Sequence, residues 1–264
     1  MIHLRYFLGA LFSLPFLPLL YLQAKRVKAS VPILPEAEGP EGYATMNSPD
    51  SPPFRLITIG ESTIAGVGVQ THEEGFSGTL ATELAQQLQQ SVAWKVYARS
   101  GYTAAQVVKH LLSNISEEHI DLIVIGLGAN DAFALHPPAR WQKDVSSLIV
   151  RLRKAYPRVP IAFANMPPIK EFPAFPSLMR LFIGSLVELL GQALAQVVKD
   201  YEQVYYFGEV ITLEGWMQKF PSDAKRGDFF SDGVHPSKLT YQTWAREVAL
   251  QIQALEILTA QGLG

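Results

Sequence analysis

Five short apolar runs, at 55–60, 93–99, 121–127, 160–165 and 203–208, are separated by stretches with a helical repeat. In the first such stretch Phe76, Leu80, Leu84 and Leu88 recur every fourth residue and so line one face of a helix. Further helices are expected at about 103–114, 138–155, 177–199 and 238–259. Strands alternating with helices of this length require right-handed βαβ crossovers, which build a parallel sheet covered on both faces. In such sheets a ligand binds beyond the carboxyl ends of the strands.

Four polar motifs fall where those strands end. Gly60-Glu61-Ser62 follows the first, Ser100-Gly101 the second, and "GAND", Gly128 to Asp131, the third; "DGVHPS", Asp232 to Ser237, leads into the last helix. A parallel sheet can bring all four to one edge. Together they hold the parts for acyl transfer. A serine hydroxyl is a weak nucleophile and needs a base within reach, for which His235 is the candidate. A histidine with an ordinary pKa near ~6.5 suits proton shuttling at neutral pH. Asp232, three residues before it, can fix the imidazole tautomer. The backbone N–H groups of Ser62 and Gly101 and the side-chain amide of Asn130 could receive an oxyanion. At 101 the absence of a side chain would let the backbone approach substrate closely. Asp131 reads as a structural hydrogen-bond partner and Ser237 as the cap of the last helix. Histidines 3, 72, 110, 119 and 136 show no paired ligand spacing and read as surface or loop residues.

Other classes fall away. The glycines at 66 and 68 are not followed by the Gly-Lys-Ser/Thr ending of a phosphate loop. There is no cysteine, which excludes thiol catalysis, disulfides and Cys-ligated metals. Residues 1–30 hold Arg5, Lys25, Arg26 and Lys28 and no acid, so the remaining 18 basic and 24 acidic residues sum to −6. A mildly acidic body without a basic stripe argues against nucleic acid as a partner. The Gly-x-Ser-x-Gly elbow of α/β-hydrolases is missing, since residue 64 is isoleucine.

At these residues the chain resembles the SGNH (GDSL-like) hydrolases, whose four blocks read here "GESTIAGVG", "RSGYTA", "GLGAND" and "SDGVHPS", in the family's order. The resemblance covers roughly 54–259. It implies a flavodoxin-like three-layer α/β/α fold with a five-stranded parallel sheet, and esterase or lipase activity without metal or organic cofactor. It also implies Ser62 as nucleophile, Gly101 and Asn130 as oxyanion donors, His235 as base and Asp232 as its orienter. Glu61 stands where the family most often has aspartate, with little effect expected on the reaction type. The leading expectation is a serine ester hydrolase. An acyltransferase using the same triad is the alternative, and a non-catalytic membrane-tethered binding protein is a third class that the intact motif set disfavours.

Outside the core, residues 6–22 are uncharged and nearly all apolar. As a helix these 17 residues span about 26 Å, slightly short of a ~30 Å hydrocarbon core, and Pro15 and Pro18 interrupt the helix. The segment reads as a membrane anchor or interfacial helix. Its basic C-terminal flank favours a cytoplasmic face. The competing reading is export after signal cleavage, although the small residues at Ala24 and Ala29 make a poor cleavage site. Residues 31–53, with six prolines in 31–54, read as an extended linker to a hydrolase domain at 54–264. Phe172, Phe175, Leu178 and Met179 are candidate substrate contacts near the cleft, suited to a small or lipidic acyl ester. Leu178, Leu181, Phe182 and Leu186 equally fit a helix packed on the sheet.

Overall fold

The computed structural model describes residues 1–46, 51–219 and 223–258. The chain begins with helices α1 (Ile2–Ser13) and α2 (Leu17–Ser30), followed by strands β1 (Glu41–Ala44) and β2 (Phe54–Gly60). Next come α3 (Phe76–Leu88), β3 (Val92–Ala98), α4 (Ala104–His110), β4 (Leu122–Gly126), α5 (Ala129–Phe133) and α6 (Pro138–Ala155). The last part holds β5 (Ile161–Phe163), α7 (Ser177–Val197), β6 (Val204–Tyr206), α8 (Leu213–Lys219) and α9 (Lys238–Ala254). The expected core strands and helices are all present.

The sheet has six strands rather than five, in the order β1-β3-β2-β4-β5-β6, with β1 antiparallel to β3 and the other pairs parallel. Alternation along the strands separates two apolar layers. Ile57, Ile59, Ile123 and Ile125 face α4, α6 and α7, whose Val107, Trp141, Leu148 and Leu190 are buried against them. Leu56, Leu122 and Val124 face the opposite layer, where Phe76, Leu80 and Leu84 of α3 meet Tyr241, Trp244 and Val248 of α9. Trp141 is pure packing, fully buried with its indole N–H donated to the Leu190 carbonyl at 3.0 Å. The order reverses at β2, which puts the switch point of the sheet, and the crevice that goes with it, just beyond Gly60.

The additional strand comes from the proline-rich segment. Residues 41–44 pair with β3, Ala37 N–H donates to Ala65 O at 2.9 Å, and Glu38 N–H donates to Gln70 O at 2.9 Å. The part of the expected linker that is described here is thus pinned along the sheet edge, and residues 47–50 lie outside the described residues. Sequence pattern could not reveal the strand. It is four residues long and half exposed, and Gly42 lies so close to Trp94 that a Cβ there would sit 2.6 Å from the indole.

Pro15 and Pro18 leave their mark as expected. A 3-10 turn at Leu14–Phe16 separates α1 from α2, and each proline occupies a first turn, where a missing N–H costs nothing. The two helices lie along α7. Phe12 and Phe16 stack on Phe182 at 6.1 and 5.7 Å, and Arg5 Nη1 donates to Gln192 Oε1 at 2.9 Å.

Candidate active site

Ser62 opens the turn that follows β2. Its carbonyl accepts Val67 N–H at 3.0 Å, and the Glu61 carbonyl accepts Ala65 N–H at 2.8 Å, so the serine is held by a local backbone net. The Asp232–His235 loop is held against this turn. The Tyr241 hydroxyl donates to Val67 O at 2.8 Å, and a Cβ on Gly68 would lie 2.4 Å from Pro236 O. That close approach, with φ of +108° at residue 68, demands glycine.

Within the loop, Asp232 Oδ2 meets His235 Nδ1 at 2.7 Å, and Oδ1 accepts the backbone N–H groups of Val234 and His235 at 2.9 and 2.7 Å. The Asp232 side chain is fully buried, and that of His235 is 22% exposed. Burial acts to raise the Asp232 pKa. Hydrogen bonds from the His235 ring, the His235 N–H and the Val234 N–H outweigh it and hold the carboxyl below its ordinary value. This is the arrangement of a carboxylate that orients an imidazole. The Ser62 hydroxyl itself makes no hydrogen bond among the described residues. Ser237 caps α9 as expected, its Oγ accepting Thr240 N–H at 3.4 Å.

Gly101 lies in the loop after β3, and Asn130 on the neighbouring first turn of α5. Gly101 has φ of +84°, and a Cβ on it would meet nothing within 4 Å. Its requirement for glycine is therefore conformational, not a matter of crowding by the protein, and the space in front of it is open. Asn130 Nδ2 donates to Tyr102 O at 3.2 Å, which turns the amide toward the Gly101 loop.

Two buried carboxylates tie these loops together. Glu61 accepts Ala129 N–H at 2.8 Å on one oxygen and Asn130 N–H at 2.9 Å on the other, so it bolts the Ser62 turn to the start of α5. Burial pushes its pKa up to about 8, against the pull of the Asn130 and Ala129 N–H groups. Asp131 is fully buried, accepting Ala104 N–H at 2.9 Å on one oxygen and meeting His136 Nδ1 at 2.8 Å on the other. Its expected structural role thus extends to joining α5 to α4. His72 and His136 lie in loops as expected but are buried, and burial lowers the His72 pKa to about 4. Sequence offered no signal for either: each is a single histidine whose partners are brought up by the fold. Among the described residues, Asp131, His136 and Asp144 bring ligand-type atoms within 4.8 Å of one another. Ala104 N–H bonds Asp131 and Arg140 lies 3.7 Å from Asp144, whose buried Oδ2 makes no hydrogen bond among the described residues.

A narrow cavity of about 40 Å³ runs beside the loops. Glu61 and Thr63, flanking Ser62, and Val234 and Pro236, flanking His235, share its wall with apolar residues including Leu127, Phe172, Ile211 and Trp244. Of the four expected substrate contacts, only Phe172 lines it. Phe175 is buried behind, its ring 5.4 Å from Phe172 and 5.8 Å from Phe133; Met179 is buried and Leu178 half-buried. Wall residues missed from sequence include Ile211, Trp216, Phe230 and Trp244, which belong to segments that only the folded sheet and its helices bring here.

The profile of the GDSL-like lipase/acylhydrolase family matches residues 58–243. No curated protein matches the chain at a significant level. Among solved structures, the lipase/acylhydrolase from Enterococcus faecalis is 19% identical with a TM-score of 0.54, over 76% of this chain and 96% of that one. The psychrotrophic esterase EstA from Pseudoalteromonas sp. is 18% identical with a TM-score of 0.54, over 78% and 98%. The phospholipase A1 from Streptomyces albidoflavus NA297 is 14% identical with a TM-score of 0.53, over 76% and 99%. At these identities the neighbours establish the α/β/α fold. The family match, spanning most of the chain and all four motifs, makes it a member of the GDSL-like lipase/acylhydrolase family, an SGNH-type hydrolase acting on ester bonds.

Proposed function

We propose that the protein is a serine ester hydrolase working through an acyl-serine intermediate, with residues 1–30 attaching the domain from residue 54 onward to a membrane. In this reading His235 Nε2 takes the Ser62 proton as Oγ attacks the acyl carbonyl carbon. Asp232 Oδ2 holds Nδ1–H and stabilises the imidazolium that forms. The oxyanion is received by the N–H groups of Ser62 and Gly101 and by Asn130 Nδ2. Collapse of the tetrahedral intermediate expels the alcohol, which takes the proton from His235. Water then repeats the sequence on the acyl-serine, with His235 again as base.

The observation that carries this reading is the 2.7 Å Asp232–His235 contact on a loop packed directly against the Ser62 turn. The Ser62–His235 hydrogen bond would form with substrate present, since catalytic hydrogen bonds often tighten only then. Ser62→Ala should abolish turnover of a p-nitrophenyl ester and labelling by a fluorophosphonate. Undiminished turnover in that variant would overturn the mechanism.

A further inference from the structure

Among the described residues, nothing covers the outward side of the N-terminal helices. Leu4, Phe7, Leu8, Leu11, Leu14 and Tyr21 are each more than half exposed. Apolar surface this continuous marks an interaction site. Its chemistry narrows the occupant. Residues 6–22 carry no charge, and the Ser13 hydroxyl is spent on Ala10 O at 2.7 Å. A protein interface would need roughly one hydrogen bond per 100–200 Å², and apart from Tyr21 this stretch has almost nothing to offer. A lipid surface needs none. Tyr21 stands between the apolar run and Lys25, Arg26 and Lys28, the order expected where hydrocarbon gives way to headgroups. With no acid in residues 1–30 and a net −6 in the rest, that basic end is suited to an anionic lipid surface.

The inner side decides the orientation. Ile2 is buried, the Tyr6 hydroxyl reaches Leu135 O at 3.5 Å, Phe12 and Phe16 sit on Phe182, and Leu20 and Val27 border the same core. These contacts run from residue 2 to residue 27. A spanning helix would have to give up nearly all of them, because α7 is half buried on the sheet and cannot follow it into hydrocarbon. The helices also lie near the element that carries a site residue. On the inner side Tyr6 meets Leu135, which is exposed together with Phe133, and Phe133 closes the short helix that carries Asn130.

We propose that α1 and α2 form an interfacial platform that docks the enzyme flat on an anionic bilayer without spanning it, and that its ester substrates are lipids lying in that surface. The substrate half of this proposal rests on the ester-hydrolase reading above; the docking half does not.

The chain has no cysteine, so single cysteines report cleanly. His3→Cys and Lys28→Cys, added as full-length protein to sealed vesicles containing phosphatidylglycerol, should both react with a membrane-impermeant maleimide. Protection of either one until detergent is added would mean a spanning helix and overturn the proposal. The protein should float with these vesicles and hardly at all with pure phosphatidylcholine. Changing Lys25, Arg26 and Lys28 to glutamine should weaken binding on the order of 10²-fold. Equal binding to both vesicles, or to neither, would refute the docking. Leu8→Asp with Leu11→Asp should lose flotation and vesicle-phospholipid hydrolysis while keeping turnover of a soluble p-nitrophenyl ester, which also reports that the variant is folded. Unchanged vesicle hydrolysis in that variant would refute the platform. A wild type that docks but cleaves no ester would instead refute the hydrolase reading.

Discussion

Gly101→Ala separates a catalytic glycine from a turn glycine. Residue 101 has φ of +84° and a Cβ there would touch nothing within 4 Å, so the substitution brings strain but no clash. Strain for an L-residue in this region is about 1–2 kcal/mol, offset by about 0.4–1 kcal/mol from the stiffer unfolded chain. The net loss is about 1 kcal/mol, or a Tm lower by roughly 2–4 °C for a domain of this size. Gly39 is a matched control: φ is +67°, a Cβ would again touch nothing within 4 Å, and it lies in the segment ahead of β1. Gly39→Ala should show the same small Tm shift and wild-type turnover. If the Gly101 N–H receives the oxyanion, a methyl group in the open volume before it should lower kcat/KM on the order of 10²–10³. Strain alone cannot reach that size, since 2 kcal/mol borne wholly by the transition state slows a reaction about 30-fold. The assay is thermal unfolding beside steady-state hydrolysis of p-nitrophenyl acetate for both variants. If the two show the same Tm shift and the same near-normal kcat/KM, Gly101 is only a turn residue and the oxyanion assignment fails.

Other outcomes follow from the same geometry. Asp232→Asn keeps an acceptor for the Val234 and His235 N–H groups but removes the carboxylate from Nδ1, so kcat should fall by about 10⁴ with little change in Tm; retained kcat would remove Asp232 from the triad. Folded Glu61 is pushed up to about 8 from its ordinary 4.5, so the native state keeps a proton that the unfolded chain releases. Its contribution to stability should therefore fall as pH rises from 4.5 to about 8 and be level above. Denaturant titrations of wild type should show that fall relative to Glu61→Gln, which has no such titration; parallel pH profiles would refute it. Phe172→Ala should cost about 3 kcal/mol or more by emptying a buried ring site, and should shift ester preference toward longer acyl groups by widening the cavity. An unchanged chain-length profile would remove that cavity from acyl binding.

Periodicity carried most of the core. Phe76, Leu80 and Leu84 announce α3 because a helix buried on one side must repeat that way, and α6 runs over the expected 138–155. The edge strand at 41–44 stayed hidden because it has no buried face to write a pattern. Ser62, Gly101 and Asn130 were legible as types just beyond strand ends, and Asp232 and His235 as a spaced pair ahead of the last helix. Glu61 was visible as a departure from the family pattern, but its two backbone acceptor contacts were not, since its partners lie 68 and 69 residues away.

The sequence by itself determined the alternating architecture, the order of the four motifs and the uncharged N-terminal run, because each is written in local pattern and residue type. Only the tertiary structure decided that Glu61 and Asp131 lock the three loops together, that Phe172 lines the cavity while Phe175 and Met179 pack behind it, and that the apolar N-terminal helices lie along α7. Those facts depend on which surfaces meet when the helices pack on the sheet, and no local pattern encodes the meeting of residues so far apart in the chain.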